Sequence, residues 1–230
     1  MERQAVKLSK PEAMIFDMDG TLFKTETLLV PVFHKVFDQL RKEGLYTGDT
    51  PPEELILSCL GMLLPDIWRR VIPDHDEQVH RRADDLLLEY ELEGLQQLAT
   101  ELYPQVAETL RELSARGVRL FVASNGLEHY VKGVAKAHGI ASLFEGLYSA
   151  GEYQTATKVD LVKLLLDQHG ITRAWMVGDR SSDVEAGKRN GLVAIGCAYA
   201  GFGDDRELAG SDVRIHTFDE LISLYEQAEE

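Results

Sequence analysis

The feature that most constrains the fold is a regular alternation of short apolar runs with helical segments from residue 103 onward. The helical segments carry apolar residues at intervals of three and four, which is the spacing of an amphipathic helix. Strands that alternate with helices of this length indicate βαβ units and therefore a parallel sheet. The sequence thus predicts an α/β fold with a Rossmann-like parallel-sheet core. The predicted strands lie at 13–16, 118–123, 146–149, 173–177, 193–198 and 213–216.

The region between the first and second predicted strands has a different pattern, because it is helical throughout and contains no convincing strand. We call residues 23–100 the helical insert. The remaining residues, 1–22 and 101–230, are predicted to form the α/β core domain. The first helix of the insert is marked by an apolar stripe at helical spacing. The stripe comprises Leu28, Leu29, Val32, Phe33, Val36, Phe37 and Leu40.

Polar side chains follow three of the predicted strands at the point where each strand ends. In a parallel sheet these ends lie along one edge, so residues far apart in the chain meet there, and open α/β sheets bind their ligands at that edge. The sequence therefore predicts one functional site at the carboxyl edge of the sheet. Its residues are Asp17 and Asp19 after the first strand, Ser124 and Asn125 after the second, and Asp179 and Asp183 after the fourth.

Two of these clusters form motifs. The run from Asp17 to Leu22 reads D-x-D-G-T-L, and the run from Gly178 to Asp183 reads G-D-x-x-x-D. Either pattern alone is compatible with an ordinary polar turn, but the two together on separate strand ends are specific. They resemble the first and fourth motifs of the haloacid dehalogenase-like (HAD) phosphohydrolase superfamily. In that comparison the helical insert resembles a C1-type cap, and the chain as a whole looks similar to phosphoglycolate phosphatases.

The resemblance implies a division of labour between the first two carboxylates. Asp17 is expected to attack phosphorus as the nucleophile and form an aspartyl-phosphate, which splits one difficult displacement into two easier ones. Asp19 is expected to protonate the leaving oxygen and then to deprotonate the attacking water. An acid at the position of Asp19 favours phosphate-ester chemistry over dehalogenation, because HAD-type dehalogenases lack it.

The resemblance also assigns phosphate-binding and metal-binding residues. Lys158, at the start of a predicted helix, is expected to pair with the nucleophile and neutralise phosphoryl charge, with Lys163 as a weaker candidate. The position after Lys158 departs from the pattern of many relatives, because Val159 stands where they carry proline. Mg²⁺ prefers carboxylate oxygens, water and phosphate oxygens, so Mg²⁺ is the expected cofactor. Its expected ligands are Asp17, the carbonyl of Asp19, Asp179, and Asp183 directly or through water.

The remaining phosphate-binding candidates are Thr21, Ser124 and Asn125. Ser124 can donate a hydrogen bond to a phosphoryl oxygen, although a serine at the end of a strand is also an everyday helix cap. Asn125 is alternatively expected to orient the loop or a neighbouring acid.

The composition indicates which classes of partner and which cellular location to expect. The formal net charge of −15 argues against nucleic acid or an anionic membrane as a partner, since both select basic surfaces. No apolar run approaches the roughly 20 residues that a membrane span needs, and the charged first ten residues do not resemble a signal peptide. Cys59 and Cys197 lie in apolar contexts without metal-ligand spacing, which fits buried free thiols. We therefore expect a cytoplasmic protein; its oligomeric state cannot be predicted.

The leading functional hypothesis is a Mg²⁺-dependent phosphatase that acts on a small-molecule phosphate monoester. Two alternatives remain open: a phosphomutase of the β-phosphoglucomutase type, and a HAD-fold binding protein without catalysis. The substrate itself is not predicted. The insert offers basic candidates for contacting the leaving group in Lys24, Arg69, Arg70, Arg81 and Arg82, and residues 61–65 resemble the region where C1 caps hold a specificity loop.

Overall fold

The computed structural model describes residues 8–60, 62, 64–97, 100–200 and 206–229, without the side chains of residues 64 and 65. A six-stranded parallel sheet forms its centre, with the strand order β3-β2-β1-β4-β5-β6. The predicted α/β fold with a parallel, Rossmann-like sheet is therefore confirmed. The strands are β1 (Ala13–Phe16), β2 (Arg119–Ser124), β3 (Gly146–Ser149), β4 (Ala174–Gly178), β5 (Val193–Cys197) and β6 (Val213–Ile215).

Ten α-helices lie within the described ranges. Four belong to the helical insert: α1 (Glu26–Lys42), α2 (Glu53–Leu57), α3 (Leu64–Val71) and α4 (Glu77–Gln97). The other six are α5 (Val106–Ala115), α6 (Glu128–Ala137), α7 (Ala150–Tyr153), α8 (Lys158–His169), α9 (Ser181–Arg189) and α10 (Glu220–Gln227). A short 3-10 helix, Ala141–Leu143, precedes β3. None of the helices in these ranges combines the length and the apolar character that crossing a bilayer would require.

Successive residues of the central strand β1 point to opposite faces of the sheet, as the pleat requires, and each face has its own apolar layer. Ala13 and Ile15 pack with buried residues of α8 and α9, including Leu161. Met14 and Phe16 pack with buried residues of α5, α6 and α10. Because β1 is buried on both faces, its sequence is continuously apolar rather than alternating.

The helical insert packs through its predicted stripe, since all seven stripe residues of α1 are buried. They belong to the same apolar cluster as Met14 and Phe16. The chain enters and leaves the insert through two segments that run side by side. Lys24 donates its backbone N–H to the Glu101 carbonyl at 2.9 Å, and Phe23 pairs antiparallel with Leu102. The division into a core domain and a capping insert stays a prediction.

Two helices near the sheet edge begin at side-chain caps. The short helix α7 follows β3 directly, because Ser149 caps it by accepting the N–H of Glu152 at 3.1 Å. Helix α9 begins at Ser181. The carboxylate of Asp183 accepts the N–H of Arg180 at 2.9 Å and so caps the first turn.

Candidate active site

The three polar clusters predicted at strand ends meet at one edge of the sheet. Strand β1 lies between β2 and β4, and Phe16, its last residue, pairs with Val122 and Val177. The backbone N–H of Asp17 donates to the Val177 carbonyl at 2.9 Å, so the pairing continues for one residue beyond the strand. This backbone hydrogen bond fixes the position from which the Asp17 side chain extends.

A cavity of about 780 Å³, including its open mouth, lies between this edge and the helical insert. Its volume falls within the range of sites that bind small molecules. The sheet side contributes Asp17, Asp19, Ser124, Asn125 and Lys158. Five of the predicted site residues therefore face one space. The insert contributes apolar side chains together with Asp84 and Glu91.

Lys158 joins two of the predicted acids at the floor of the cavity. Its ammonium nitrogen lies 2.9 Å from Asp17 Oδ1 and 2.6 Å from Asp183 Oδ1, and all three side chains are buried. Burial opposes a charge on Lys158, but the neighbouring carboxylates outweigh it and raise its pKa. Burial raises the pKa of Asp17, and the charge of Lys158 opposes that shift. The ammonium group is therefore positioned to neutralise charge at Asp17.

Asp179 completes a cluster of three buried carboxylates with Asp17 and Asp183, whose ligand atoms all lie within 4.8 Å of one another. Burial raises the pKa of Asp179 well above its usual range, and the charges of Asp183 and Asp17 raise it further. Gly20 allows this approach, because a Cβ there would lie 2.4 Å from Asp179 Oδ2. The Thr21 hydroxyl donates to Asp179 Oδ1 at 3.3 Å.

Asp19 is held by two hydroxyl groups. Thr25 donates to Asp19 Oδ1 at 2.8 Å, and the Tyr130 hydroxyl donates to the same oxygen. Burial raises the pKa of Asp19, and these hydrogen bonds oppose the shift. A carboxyl group whose pKa is raised and whose orientation is fixed is suited to proton transfer.

Ser124 is the last residue of β2 and is buried. Its Oγ accepts the Gly126 N–H at 3.1 Å, so its own hydrogen is still able to donate. It does not cap α6, whose N-cap is Leu127. The hydroxyl and the backbone that follows it therefore line the cavity beside Asp17.

The model of the family "Haloacid dehalogenase-like hydrolase" matches residues 14–197 of the chain. The chain belongs to this family. The match includes both motifs, the cavity residues and the whole helical insert, so the expected resemblance is confirmed.

Curated relatives cover most of the chain. A pyrophosphatase PpaX of Listeria monocytogenes serotype 4b (strain CLIP80459) is 26% identical over 202 residues, covering 83% of this chain and 85% of that protein. A phosphoglycolate phosphatase of Vibrio vulnificus (strain CMCP6) is 28% identical over 223 residues, covering 92% of each chain. The expected similarity to phosphoglycolate phosphatases is therefore confirmed.

Solved structures share the fold. The crystal structure of a predicted phosphoglycolate phosphatase from Haemophilus somnus 129pt superposes with a TM-score of 0.82, at 20% identity, over 93% of this chain and 97% of that chain. CbbY from Rhodobacter sphaeroides, in complex with phosphate, gives a TM-score of 0.79 at 22% identity, over 94% and 99%. At these identities the similarity establishes the HAD fold.

Within this HAD fold, several residues that the sequence suggested for the site lie elsewhere. Lys163 is exposed and pairs with Asp167 at 2.9 Å, so it does not take the place of Lys158. Thr21 does not line the cavity, and its contact with Asp179 indicates a positioning role. Of residues 61–65, Met62 lines the cavity and 64 begins α3, whereas Gly61 and Leu63 lie outside the described residues.

The basic candidates of the insert do not line the described cavity. Three of them are engaged in ion pairs: Lys24 with Glu101, Arg69 with Asp66 and Glu77, and Arg82 with Glu43. Arg70 and Arg81 are exposed. Long basic side chains on a helix reach solvent more readily than a crowded cavity. The described contacts do not support the expectation that these residues contact the leaving group, which stays a prediction.

Four polar or ionisable cavity residues were missed by sequence reasoning: Thr25, Asp84, Glu91 and Tyr130. A signal for Glu91 was present, because residues 83, 87 and 91 recur at intervals of four on α4 and the first two are the buried Ala83 and Leu87. An acid on an otherwise apolar stripe marks a polar group that faces the interior. Tyr130 gave no comparable signal, since a tyrosine on an inward helix face is ordinary.

Proposed function

We propose that this hydrolase removes phosphate from a small-molecule phosphate monoester through an aspartyl-phosphate on Asp17, with Mg²⁺ as cofactor. The observation that carries the proposal is the convergence of Asp17, Asp19, Ser124 and Lys158 on one cavity beside a cluster of three buried carboxylates. The phosphatase relatives support phosphoric ester hydrolysis. A cytoplasmic location and the absence of nucleic-acid partners stay predictions.

In the first half-reaction a carboxylate oxygen of Asp17 attacks phosphorus, forming an acyl-phosphate bond while the bond from phosphorus to the ester oxygen breaks. Asp19 gives its proton to the departing oxygen, which leaves as an alcohol. Lys158, at 2.9 Å from Asp17, and the Ser124 hydroxyl lie where they can stabilise the phosphoryl oxygens as negative charge redistributes.

In the second half-reaction water attacks the same phosphorus, and Asp19 takes its proton. The acyl-phosphate bond breaks, which releases phosphate and restores the Asp17 carboxylate. Asp19 regains the proton it lost, so the cycle balances. Tyr130 and Thr25 hold one oxygen of Asp19 throughout, leaving the other free for the transfer.

The donor set fits a hard divalent cation. Asp17, Asp179 and Asp183 would hold it, because the single ammonium group of Lys158 offsets only part of the charge of three carboxylates this close. When bound, Mg²⁺ would offset the charge of the phosphate and stabilise charge that develops during transfer. Asp183 is already bonded to Lys158 through Oδ1 and to the Arg180 N–H through Oδ2, which favours a contact through water.

The test is phosphate release from a panel of small phosphomonoesters, with Mg²⁺ and with excess EDTA. We expect release that EDTA abolishes. Asp17→Asn should reduce turnover by at least about a thousandfold and prevent phosphate from becoming bound to the protein. Asp167→Asn, the same change on an exposed residue of α8, serves as the control and should leave the rate unchanged. Full activity of the Asp17 variant would contradict the mechanism.

The same panel separates the other two hypotheses. Isomerisation of a sugar phosphate without net release of inorganic phosphate would identify a mutase. Binding of Mg²⁺ with neither reaction would identify a non-catalytic binding protein.

A further inference from the structure

The wall that the helical insert presents to the cavity is apolar apart from Thr25, Cys59 and two carboxyl groups. Asp84 and Glu91 both lie on α4 and both line the cavity. They are seven residues apart, so they lie on the same face of the helix, roughly 10 Å apart along its axis. Leu87 and Leu88 line the wall between them. This wall borders the same cavity as Asp17 and Asp19, so the alcohol part of a substrate bound at Asp17 would lie against it.

The charges around the described cavity are unequal. Lys158 is the one basic side chain among the lining residues, against four acids: Asp17, Asp19, Asp84 and Glu91. Lys158 is already paired with Asp17 and Asp183 at the phosphate end. Among the described lining residues, the insert wall therefore offers two carboxyl groups and no basic side chain to the part of the substrate that departs.

Glu91 lines the same cavity as Asp19 and as Tyr130, whose hydroxyl donates to Asp19. Burial raises the pKa of Glu91 to about 8, and the charge of Asp19 raises it further. Within the described residues Glu91 has no hydrogen bond or ion pair, whereas Glu93, on the outer side of α4, pairs with Lys35. A confined carboxyl group without a partner costs free energy that a bound cation can offset.

Arg70 of the insert contacts one residue of the lining. Its Nη1 lies 4.0 Å from the sulfur of Met62, a residue of the wall. The Arg70 side chain is exposed and lies outside the lining itself. An anionic group in the cavity would therefore meet Glu91 and Asp84 before it met Arg70.

We propose that the substrate's leaving group carries an ammonium group, which Glu91 binds against the apolar wall. The substrate class is then the phosphate monoesters of short amino alcohols. The inference rests on the proposed function and adds no chemical step to it: the phosphorus–oxygen bond breaks as before, and the amine departs unchanged within the alcohol. Phosphoglycolate and pyrophosphate would place a second anion against two carboxyl groups, so they are expected to be poor substrates.

The test compares kcat/KM for ethanolamine phosphate with that for n-propyl phosphate, in which a methyl group replaces the ammonium group at nearly the same size. Phosphoglycolate and pyrophosphate complete the set, all with Mg²⁺. We expect ethanolamine phosphate to be preferred over n-propyl phosphate by at least about tenfold, the effect of one hydrogen bond to a charged group. The two anionic compounds should be slower than n-propyl phosphate.

The decisive variant is Glu91→Gln, which keeps the size of the side chain and removes its charge. The preference for ethanolamine phosphate over n-propyl phosphate should fall by about tenfold or more. A merely structural role for Glu91 would lower both rates together and leave their ratio unchanged. Glu89→Gln makes the same change at an exposed position of the same helix and should leave the ratio at the wild-type value.

Two outcomes would overturn the inference without touching the proposed function. One is phosphate release with no preference for the ammonium ester. The other is a preference for phosphoglycolate or pyrophosphate that Arg70→Gln selectively removes, which would make Arg70 the partner of an anionic group. Absence of release from every ester would instead contradict the proposed function, and this inference with it.

Discussion

Gly20 lies at a position where a side chain is unfavourable for two reasons, its backbone conformation and the lack of space. Its φ of +73° lies in the left-handed region, and a Cβ would lie 2.4 Å from Asp179 Oδ2. Gly139 has a similar φ of +66° but nothing within 4 Å of a Cβ. Gly20→Ala should therefore displace Asp179, whereas Gly139→Ala should carry backbone strain alone, on the order of 1 kcal/mol.

The comparison is read from phosphatase activity as a function of Mg²⁺ concentration. Gly20→Ala is expected to lower the activity. It should also raise the Mg²⁺ concentration that gives half-maximal activity by about tenfold or more. Gly139→Ala should lower the free energy of unfolding and leave the Mg²⁺ dependence unchanged. Equal Mg²⁺ dependence of the two variants would show that the close approach of Asp179 is unimportant.

Asp84 provides a test of pH-dependent stability. Burial raises its pKa to about 6, and the charge of Asp85 contributes. A raised pKa in the folded state means that the folded protein favours the protonated acid. The free energy of unfolding therefore falls as the pH rises. The loss is absent below the pKa of Asp84 in the unfolded chain, about 4, and complete above its pKa in the folded protein, about 6.

Asp84→Asn should therefore gain free energy of unfolding relative to the wild type as the pH rises from about 4 to about 7. The expected gain is on the order of 1 to 2 kcal/mol, since the side chain is partly solvated. Urea unfolding at both pH values measures it. Asp85→Asn, at the exposed neighbouring position, should show a much smaller change, and an equal change in both variants would exclude burial as the cause.

Among the elements, the close contact between α4 and α6 fixes the width of the cavity. A Cβ added at Gly133 of α6 would lie 3.0 Å from Leu95 Cδ1 of α4, and this is the one atom that it would meet within 4 Å. Helix α4 carries Glu91, and α6 carries Tyr130. A larger side chain at residue 133 would therefore separate two elements that line the same site.

Gly133→Ala and Gly133→Phe should have opposite effects. Alanine requires only a small shift of the end of the Leu95 side chain. Its higher helix propensity contributes up to about 1 kcal/mol, so stability and activity should be kept or improved. Phenylalanine should push α4 away and raise KM by about tenfold, with a smaller effect on kcat. Steady-state kinetics and thermal unfolding of both variants provide the measurement. A KM unchanged by phenylalanine would mean that α4 does not contact the substrate.

For the molecule as a whole, the carboxylate cluster should couple stability to Mg²⁺. Lys158 offsets only part of the repulsion among Asp17, Asp179 and Asp183, and a ligand that binds only the folded state stabilises it by mass action. At a hundred times its dissociation constant, Mg²⁺ should add about 2.7 kcal/mol, which corresponds to a rise of a few degrees in Tm for a chain of this size.

Asp179→Asn should be more stable than the wild type without Mg²⁺ and should gain less stability than the wild type when Mg²⁺ is added. The amide keeps an oxygen to accept the Thr21 hydroxyl and removes one of the mutually repelling charges. In EDTA this variant should unfold at a higher temperature than the wild type, and added Mg²⁺ should stabilise it little. Asp167→Asn should respond to Mg²⁺ as the wild type does. An equal Mg²⁺ response of wild type and Asp179→Asn would contradict the assigned ligand set.

Much of this arrangement followed from local patterns. The apolar runs gave the strands, and Asp17, Asp19 and Asp179 were placed at the site because strand ends in a parallel sheet share an edge. The side chains of the insert were not predictable in the same way, since α4 exposes charged residues on several faces and its orientation is set by tertiary packing. Arg82 and Glu91 both lie on α4, yet only Glu91 faces the cavity.

The paired segments at Lys24 and Glu101 bring both ends of the helical insert to one place on the core. In a rotation of the insert as a unit about that point, the displacement of a residue would grow with its distance from the point. Along α4, Glu91 lies about 9 Å from the end nearest this point, and Glu77 about 30 Å. A rotation that opens the far end by several ångströms moves Glu91 by about a third as much. Such a rotation would widen the far end of the cavity while Glu91 stays nearly at the same distance from Asp19.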